Sequence, residues 1–165
     1  IRFPEKKDLH AIRKFYNRVI KETDFLSRIN PVTIEDERNW LKGMLDGIKK
    51  RNRIYLAAEH KNKIVGSVTI ERKTDDVSKH VGNYGICILQ DYTGLGLGSK
   101  LTECAIEFAK KEMRLEIIVL SVYDKNKIAQ RLYRKVGFVY AGKIPRSIKR
   151  KARYMDNIIM YKVLK

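Results

Sequence analysis

Three glycines at alternate positions, Gly94, Gly96 and Gly98, lead directly into a segment with helical periodicity. The first backbone N–H groups of a helix have no partner within it, and glycines leave them accessible, so this stretch suits a pyrophosphate. Two common nucleotide loops do not fit. A phosphate-loop NTPase has its lysine directly after the last glycine, whereas Lys100 comes one place later. A dinucleotide site has an acidic residue at the end of the next strand, whereas Glu116 stands at its start.

Asn126 and Tyr133 form a second candidate pair, because they lie seven residues apart in another segment with helical periodicity. That spacing is two helical turns, so both side chains can face the same groove. A phenol with the ordinary pKa of about 10 stays protonated at neutral pH and can donate a proton in catalysis. The alternative is structural: Asn126 caps the helix and Tyr133 is half-buried on an amphipathic surface.

The hydrophobic periodicity around these residues predicts an α/β fold. It consists of a mixed, mostly antiparallel twisted sheet of six or seven strands with helices on both faces. The helix at 126–135 is expected to bury Ile128, Ala129, Leu132 and Val136. The strand at 115–122 follows a strand and a helix, which implies a parallel pair. In chain order the predicted elements are a strand-like start at 1–3, helices at 9–20 and 34–48, strands at 53–60, 63–73 and 81–89, a helix from the glycine run, a strand at 115–122, a helix at 126–135, and strands at 137–143 and 157–164.

The chain carries an excess of positive charge: 36 Lys and Arg residues against 19 Asp and Glu residues, a net charge of +17. Such a charge attracts polyanions, including nucleic acid, ribosomes and phosphorylated cofactors. The positive residues are spread along the chain apart from a denser segment at 143–154, and no nucleic-acid-binding motif accompanies them. A solvated basic surface is therefore favoured over a specific nucleic-acid site.

Length and hydropathy predict one soluble, cytoplasmic domain over residues 1–165. A chain of 165 residues that is 44% hydrophobic can bury a substantial core. No apolar run approaches the roughly 18 to 20 residues needed to cross a bilayer. Cys87 and Cys104 lie in apolar segments without a CxxC motif or a Cys/His cluster, so we expect buried free thiols rather than a disulfide or a metal site.

Two motifs together resemble the GCN5-related N-acetyltransferase (GNAT) family: YTGLGLGSKL after the strand YGICIL, and NKIAQRLYRKVGF further on. The resemblance covers essentially the whole chain, and the terminal segments look most like enzymes that acetylate phosphinothricin and free amino acids. The family's Arg/Gln-x-x-Gly-x-Gly/Ala pattern falls on 93–98, with Thr93 in place of the usual Arg or Gln. The resemblance implies acetyl-CoA as co-substrate, its pyrophosphate bound by the amides of Gly94, Leu95, Gly96, Leu97, Gly98 and Ser99.

The resemblance also implies how the rest of the coenzyme is held. Ile86, Cys87 and Ile88 would pair with the pantetheine arm as if a strand were added, and the Ile88 amide would bond the thioester carbonyl. Asn126 would bind near the pantetheine, and Tyr133 would protonate the departing thiolate. A covalent mechanism through Cys87 is the alternative, but the apolar neighbours of this cysteine favour an inert thiol.

The acceptor half of the site is less visible in the sequence. Relatives often carry Glu on the fourth strand where this chain has Asn83, so Glu71 on the preceding strand is the candidate general base. An outward-facing strand carboxylate is the alternative for Glu71. The acidic residues Glu22, Asp24 and 35–37 could line an amine site, or they could cap helices and face solvent.

The predicted function is transfer of an acetyl group from acetyl-CoA to a primary amine, by direct attack in a ternary complex and without a metal. We expect a small-molecule amine as acceptor, a monomer or homodimer, and neither a specific nucleic acid nor a membrane as partner. Two alternatives remain open. One is acetylation of the N-terminus of a protein such as a ribosomal protein; the other is a basic ribosome- or RNA-binding protein that keeps the fold without turnover.

Overall fold

A computed structural model describes residues 1–150 and 152–164 of the chain. Its helices are α1 (Leu9–Glu22), α2 (Ile34–Lys49), α3 (Leu97–Lys111) and α4 (Lys127–Lys135). Its strands are β1 (Arg53–His60), β2 (Lys63–Arg72), β3 (Val81–Ile88), β4 (Ile117–Tyr123), β5 (Val139–Arg150) and β6 (Arg153–Val163). Within these ranges, no helix is long and apolar enough to cross a membrane.

The strands form one six-stranded sheet in the order β1-β2-β3-β4-β6-β5. The β3–β4 pair is parallel and the other neighbouring pairs are antiparallel. The parallel pair is joined by α3, as the strand, helix, strand pattern predicts. The mixed, mostly antiparallel sheet is therefore confirmed, while the strand-like start at 1–3 contributes an isolated bridge between Arg2 and Ala57.

The helices cover opposite faces of the sheet, which also confirms the prediction. On one face, the Trp40 ring of α2 lies 5.2 Å from the Tyr55 ring of β1. On the other, the Tyr84 hydroxyl of β3 hydrogen-bonds to Thr102 of α3 at 2.7 Å, and the Tyr133 ring of α4 lies 5.7 Å from the Tyr84 ring. We call these the α1/α2 face and the α3/α4 face.

The parallel strands β3 and β4 separate along their length. Their pairing joins Val81–Asn83 to Ile117–Val119. Beyond this point β3 continues to Ile88 and β4 to Tyr123 without pairing to each other. We call this opening the β3–β4 gap.

The buried side of α4 differs from the prediction. The Ile128 side chain is 61% exposed, and Ala129, Leu132 and Val136 are only half-buried. The buried residues of the helix are Gln130 and Tyr133. Gln130 can be buried because its Nε2 donates to two carbonyl oxygens at the end of β4. Ile128, Ala129 and Leu132 stay partly accessible because they line open space at the gap.

The basic segment at 143–154 is a hairpin arm, whereas the predicted strands at 137–143 and 157–164 left it as a loop. β5 and β6 extend through it to Arg150 and Arg153, and Lys151 lies outside the described residues. Lys143 forms an ion pair with Asp156 at 2.8 Å, so part of its charge is already compensated within the arm. The absence of a specific nucleic-acid site here stays a prediction.

Candidate active site

The backbone groups of β3 alternate between β2 and the gap. The Leu89 N–H donates to the Val65 carbonyl of β2 at 3.0 Å. On the other edge, the His80 carbonyl accepts from the Glu116 N–H at 2.8 Å. The register between β2 and β3 is continuous from residue 82 to residue 88. Along a β-strand, the backbone N–H and C=O groups of successive residues point to opposite edges. The N–H and C=O groups of the even-numbered residues of β3 therefore point toward β4.

Beyond Asn83 this alternation leaves backbone groups unpaired at the β3–β4 gap. The N–H groups of Ile86 and Ile88 point into the gap, where β4 no longer reaches them. An extended chain can pair with them as an added strand would. The Cys87 N–H instead points toward Ser67, its register partner on β2. Of the three residues predicted to pair with pantetheine, Ile86 and Ile88 therefore present backbone donors to the gap and Cys87 does not.

The glycine loop has the backbone geometry that its sequence predicts. Gly94 and Gly96 have φ values of +77° and +80°, a left-handed conformation that glycine adopts without strain. No atom lies within 4 Å of a Cβ placed at either position, so the space in front of the loop is open. The first intrahelical bond of α3 runs from Lys100 N–H to the Gly96 carbonyl at 3.2 Å. The amides of residues 97–99 therefore have no acceptor within the helix.

Gly98 and Thr93, beside the two open glycines, make local packing and hydrogen-bond contacts. A Cβ at Gly98 would lie 2.9 Å from Leu132 of α4 and 3.2 Å from Ile88. This glycine therefore lets the start of α3 approach α4 and β3 closely. The Thr93 hydroxyl donates to the Gln90 carbonyl at 2.8 Å, which fixes the turn before the loop.

Tyr133 lies at the boundary between the core and the gap. Its side chain is 6% exposed and its ring lies 5.9 Å from the Phe138 ring. It lines the same cleft as Ile86 and Ile88. Burial raises the pKa of the Tyr133 phenol above its ordinary value, with a smaller contribution from Cys87. The hydroxyl is therefore protonated at neutral pH, which is the state that a general acid requires.

Asn126 and Cys87 are the two remaining residues that were predicted to contact the coenzyme. Asn126 is the N-cap of α4, where its Oδ1 accepts from the Ala129 N–H at 3.1 Å, and it also lines the cleft. The two interpretations of Asn126 are thus compatible. Cys87 is half-buried in the floor of the cleft, and desolvation raises the pKa of its thiol to about 12. A thiol with such a pKa is a poor nucleophile at neutral pH, in agreement with the inert thiol.

A single cleft of about 770 Å³ passes through the β3–β4 gap from one face of the sheet to the other. On the α3/α4 face it is lined by Leu132 and Tyr133 of α4. On the α1/α2 face it is lined by Trp40 of α2, Tyr55 of β1 and Thr69 of β2. We call its two parts the coenzyme end, on the α3/α4 face, and the acceptor end, on the α1/α2 face.

Most of the carboxylates predicted for the acceptor end are engaged in ion pairs. Glu71 lies 3.5 Å from Arg53, Asp36 lies 3.0 Å from Arg28 and Asp24 lies 2.9 Å from Arg150, and Glu22 pairs with Arg18. Of these, Glu22, Asp36 and Glu71 line the cleft. Glu35 is exposed and lies outside it. Glu37 lines the cleft and is only 4% exposed. Sequence patterns could not show that Glu37 is buried while its neighbours Glu35 and Asp36 are exposed.

Arg150 is a site residue that sequence reasoning missed. It is 8% exposed, and its guanidinium donates to Asp24 at 2.9 Å and to the Leu26 carbonyl at 2.9 Å. Both partners belong to the α1–α2 loop, which covers the acceptor end from Thr23 to Arg28. The contact joins residues 124 to 126 positions apart, so no local sequence pattern could have indicated it.

The coenzyme end fits acetyl-CoA, the co-substrate implied by the glycine motif. The open space before Gly94 and Gly96 faces amides without helical partners, which suits a pyrophosphate. The N–H groups of Ile86 and Ile88 suit the amide groups of an extended arm. Within residues 1–150 and 152–164, no cluster of His, Cys, Asp or Glu side chains could hold a metal ion.

Comparison with known proteins agrees with this geometry. The model of the acetyltransferase (GNAT) family matches residues 14–138. The chain is 28% identical over 165 residues to the L-amino acid N-acetyltransferase AaaT of Escherichia coli (strain K12), covering 99% of this chain and 96% of the relative. A GNAT-family acetyltransferase from Streptococcus pneumoniae has a TM-score of 0.89 at 33% identity, covering 99% of this chain and 98% of that structure.

A second solved structure includes the coenzyme. It is yncA, a putative acetyltransferase from Salmonella typhimurium with its cofactor acetyl-CoA, with a TM-score of 0.88 at 21% identity and coverage of 99% and 92%. At that identity the likeness concerns the fold alone. The chain belongs to the GNAT family and is an N-acetyltransferase that uses acetyl-CoA.

Proposed function

We propose that the protein acetylates a small primary amine, which attacks the acetyl group directly while both substrates are bound. The observation that carries this proposal is the single cleft that joins Ile86, Ile88 and Tyr133 at the β3–β4 gap to the acceptor end, with Thr93 lining it directly before the glycine loop. Direct attack requires the two reacting groups to share one continuous space. The name of the Escherichia coli relative, an L-amino acid N-acetyltransferase, supports a small amino compound as acceptor.

The coenzyme end binds by its backbone. Acetyl-CoA supplies an acetyl group activated by a thiol leaving group. The amides of residues 94–99 bind the pyrophosphate, and Asn126 lies beside the arm at the start of α4. Tyr133 contacts Tyr84, which is two residues from Ile86 and four from Ile88. We therefore assign the Ile86 N–H to the carbonyl oxygen of the thioester, in place of the Ile88 N–H that the family resemblance implies, and the Ile88 N–H to the arm.

Tyr133 and Glu71 handle the two protons. As the C–N bond forms and the C–S bond breaks, the Tyr133 hydroxyl gives its proton to the departing sulfur. An ammonium acceptor loses one proton before it attacks and a second as the amide forms, and the second restores the Tyr133 hydroxyl. We assign the first proton to Glu71, directly or through water, because Glu71 is a cleft-lining carboxylate of the sheet itself.

A screen of acceptors tests the proposal. Amino acids, amines and short peptides are incubated with acetyl-CoA and the protein, and thiol release is followed. We expect release with at least one small primary amine, and mass spectrometry should find its N-acetyl product. Release with peptides alone would contradict a small-molecule acceptor, and release without an acetylated amine would indicate simple hydrolysis.

A further inference from the structure

The charge of the cleft is opposite to that of the chain. The whole chain carries a net charge of +17. Among the described residues, the charged side chains that line the cleft are four carboxylates and one guanidinium: Glu22, Asp36, Glu37, Glu71 and Arg28. All five belong to α1, α2, the α1–α2 loop or β2, which places them at the acceptor end. Glu22, Asp36 and Glu71 pair with Arg18, Arg28 and Arg53, so the uncompensated negative charge among them is that of Glu37. An uncompensated charge in a low-dielectric cleft attracts ligands of the opposite sign.

Glu37 is the unusual member of this set. It lies in the first turn of α2 and is 4% exposed, yet within the described residues its carboxylate has neither a hydrogen-bond partner nor an ion pair. Desolvation raises the pKa of Glu37, and Arg13 and Arg28 oppose this from a distance. Arg28 is already bonded to Asp36, and Arg13 to the Val32 carbonyl. The carboxylate oxygens themselves are not fully shielded, so they reach the open space of the cleft. A largely desolvated carboxylate without a partner is costly for folding, so its presence at the edge of a cleft points to a ligand.

Aromatic side chains surround the space that Glu37 faces. Trp40 lies one helical turn further along α2, its ring packs edge-on against Tyr55, and Tyr16 and Phe25 also line this end. Aromatic rings attract alkylammonium groups through their faces and pack against methylene chains. A carboxylate among such rings recognises a cation joined to an apolar chain.

We propose that the acceptor amine carries a second amino group, protonated at neutral pH, and that Glu37 binds this group while the other end of the molecule enters the β3–β4 gap. The substrate class is that of diamines and polyamines. This inference rests on the proposed N-acetylation and makes its acceptor specific. A free amino acid is a poorer fit, because its carboxylate would approach the uncompensated Glu37, and the guanidinium that lines the cleft among the described residues, that of Arg28, is already bonded to Asp36.

The test compares matched amines. Binding of α,ω-diamines of increasing length, and of spermidine, is measured calorimetrically on the protein saturated with CoA, beside monoamines of the same carbon number. The diamine or triamine of the right length should bind roughly 10- to 100-fold more tightly than its monoamine, the range for a hydrogen bond to a charged group. Equal affinities for every pair would overturn the inference.

The variant Glu37→Gln keeps the shape of the side chain and removes its charge, so it should abolish that preference. Glu35→Gln is the matched control, because Glu35 lies in the same helical turn but is exposed and outside the cleft. Thermal unfolding should show Glu37→Gln at least as stable as wild type, since it removes a desolvated charge. A preference that survives Glu37→Gln, or disappears equally in Glu35→Gln, would contradict the role of Glu37.

Kinetics separates this inference from the proposed function. Thiol release is measured with the same amines and with neutral amino acids. Release with diamines ahead of monoamines and amino acids supports both proposals. Release with amino acids or monoamines but not with diamines overturns the substrate class and leaves N-acetylation standing. Release with no amine overturns the proposed function, and the binding comparison alone then decides whether Glu37 recognises a second ammonium group.

Discussion

The two ends of the cleft present different chemical groups: backbone amides at the coenzyme end and side chains at the acceptor end. The coenzyme end presents backbone: amides of the glycine loop at the start of α3 and the Ile86 and Ile88 amides at the gap. The acceptor end presents side chains from α1, α2, the α1–α2 loop and β2. Backbone donors do not change when side chains are replaced, so one coenzyme end can serve many acceptors. Substitutions at the acceptor end, where Glu37 supplies a negative charge, can change the charge of that end without disturbing the backbone groups of the coenzyme end.

Tyr133 stands where the two ends meet, and its hydroxyl should give the largest effect. Tyr133→Phe keeps the ring packed against Tyr84 and Phe138 and removes the proton. We expect kcat to fall about 10²- to 10⁴-fold, the usual range for a general acid, with acetyl-CoA affinity unchanged. Tyr140→Phe on β5, which is exposed and outside the cleft, is the control. Equal kcat values for wild type and Tyr133→Phe, with chemistry rate-limiting, would exclude the role.

Gly96→Glu should damage the coenzyme end selectively. A side chain at φ +80° is strained, and a carboxylate there repels the pyrophosphate. We expect acetyl-CoA to bind about 10²-fold more weakly in calorimetry, which corresponds to roughly 3 kcal/mol. Gly142→Glu adds the same charge on β5, where a Cβ has open space around it, and should bind normally. Weakening of amine binding alone would reverse the assignment of the two ends.

Glu71→Gln should act on proton removal from the amine. We expect kcat/KM for the amine to fall about 10- to 100-fold near neutral pH. The loss should shrink as pH rises toward the amine's own pKa of about 10, because the amine then needs no base. Glu116→Gln, an exposed carboxylate just before β4, is the control. A deficit that stays constant with pH would assign Glu71 to binding or packing.

Arg150→Met should have the smallest effect and should be confined to the acceptor end. The substitution keeps an apolar stem and removes the bonds that hold the α1–α2 loop to β5. We expect the KM of the amine to rise about 3- to 10-fold, in keeping with one or two lost hydrogen bonds, while the KM of acetyl-CoA stays the same. Arg153→Met, at an exposed position on β6, provides the comparison. Equal changes in both KM values would mean that the loop also supports the coenzyme end.

The difference between the coenzyme end, formed by local motifs, and the acceptor end, formed by distant segments, explains what the sequence could predict. Gly94, Gly96 and Tyr133 could be proposed from the sequence because they lie in two short motifs that resemble those of the GNAT family, and Tyr133 does line the cleft. The sheet with helices on both faces followed from periodicity. Arg150 and the isolation of Glu37 were not predictable, because they depend on which distant segments meet in space. Ile128 was assigned to the core because periodicity identifies an apolar side and cannot tell a core from a cleft.

The gap that runs through the sheet bears on the order of events in each turnover. With the proposed assignment of the two ends, acetyl-CoA and the amine approach from opposite faces, so either can enter first and neither has to pass the other. Free CoA can leave while the acetylated product is still bound, and the reverse is equally open. A sheet that separates the two entrances and joins them at one opening therefore favours random-order kinetics, in which double-reciprocal plots intersect.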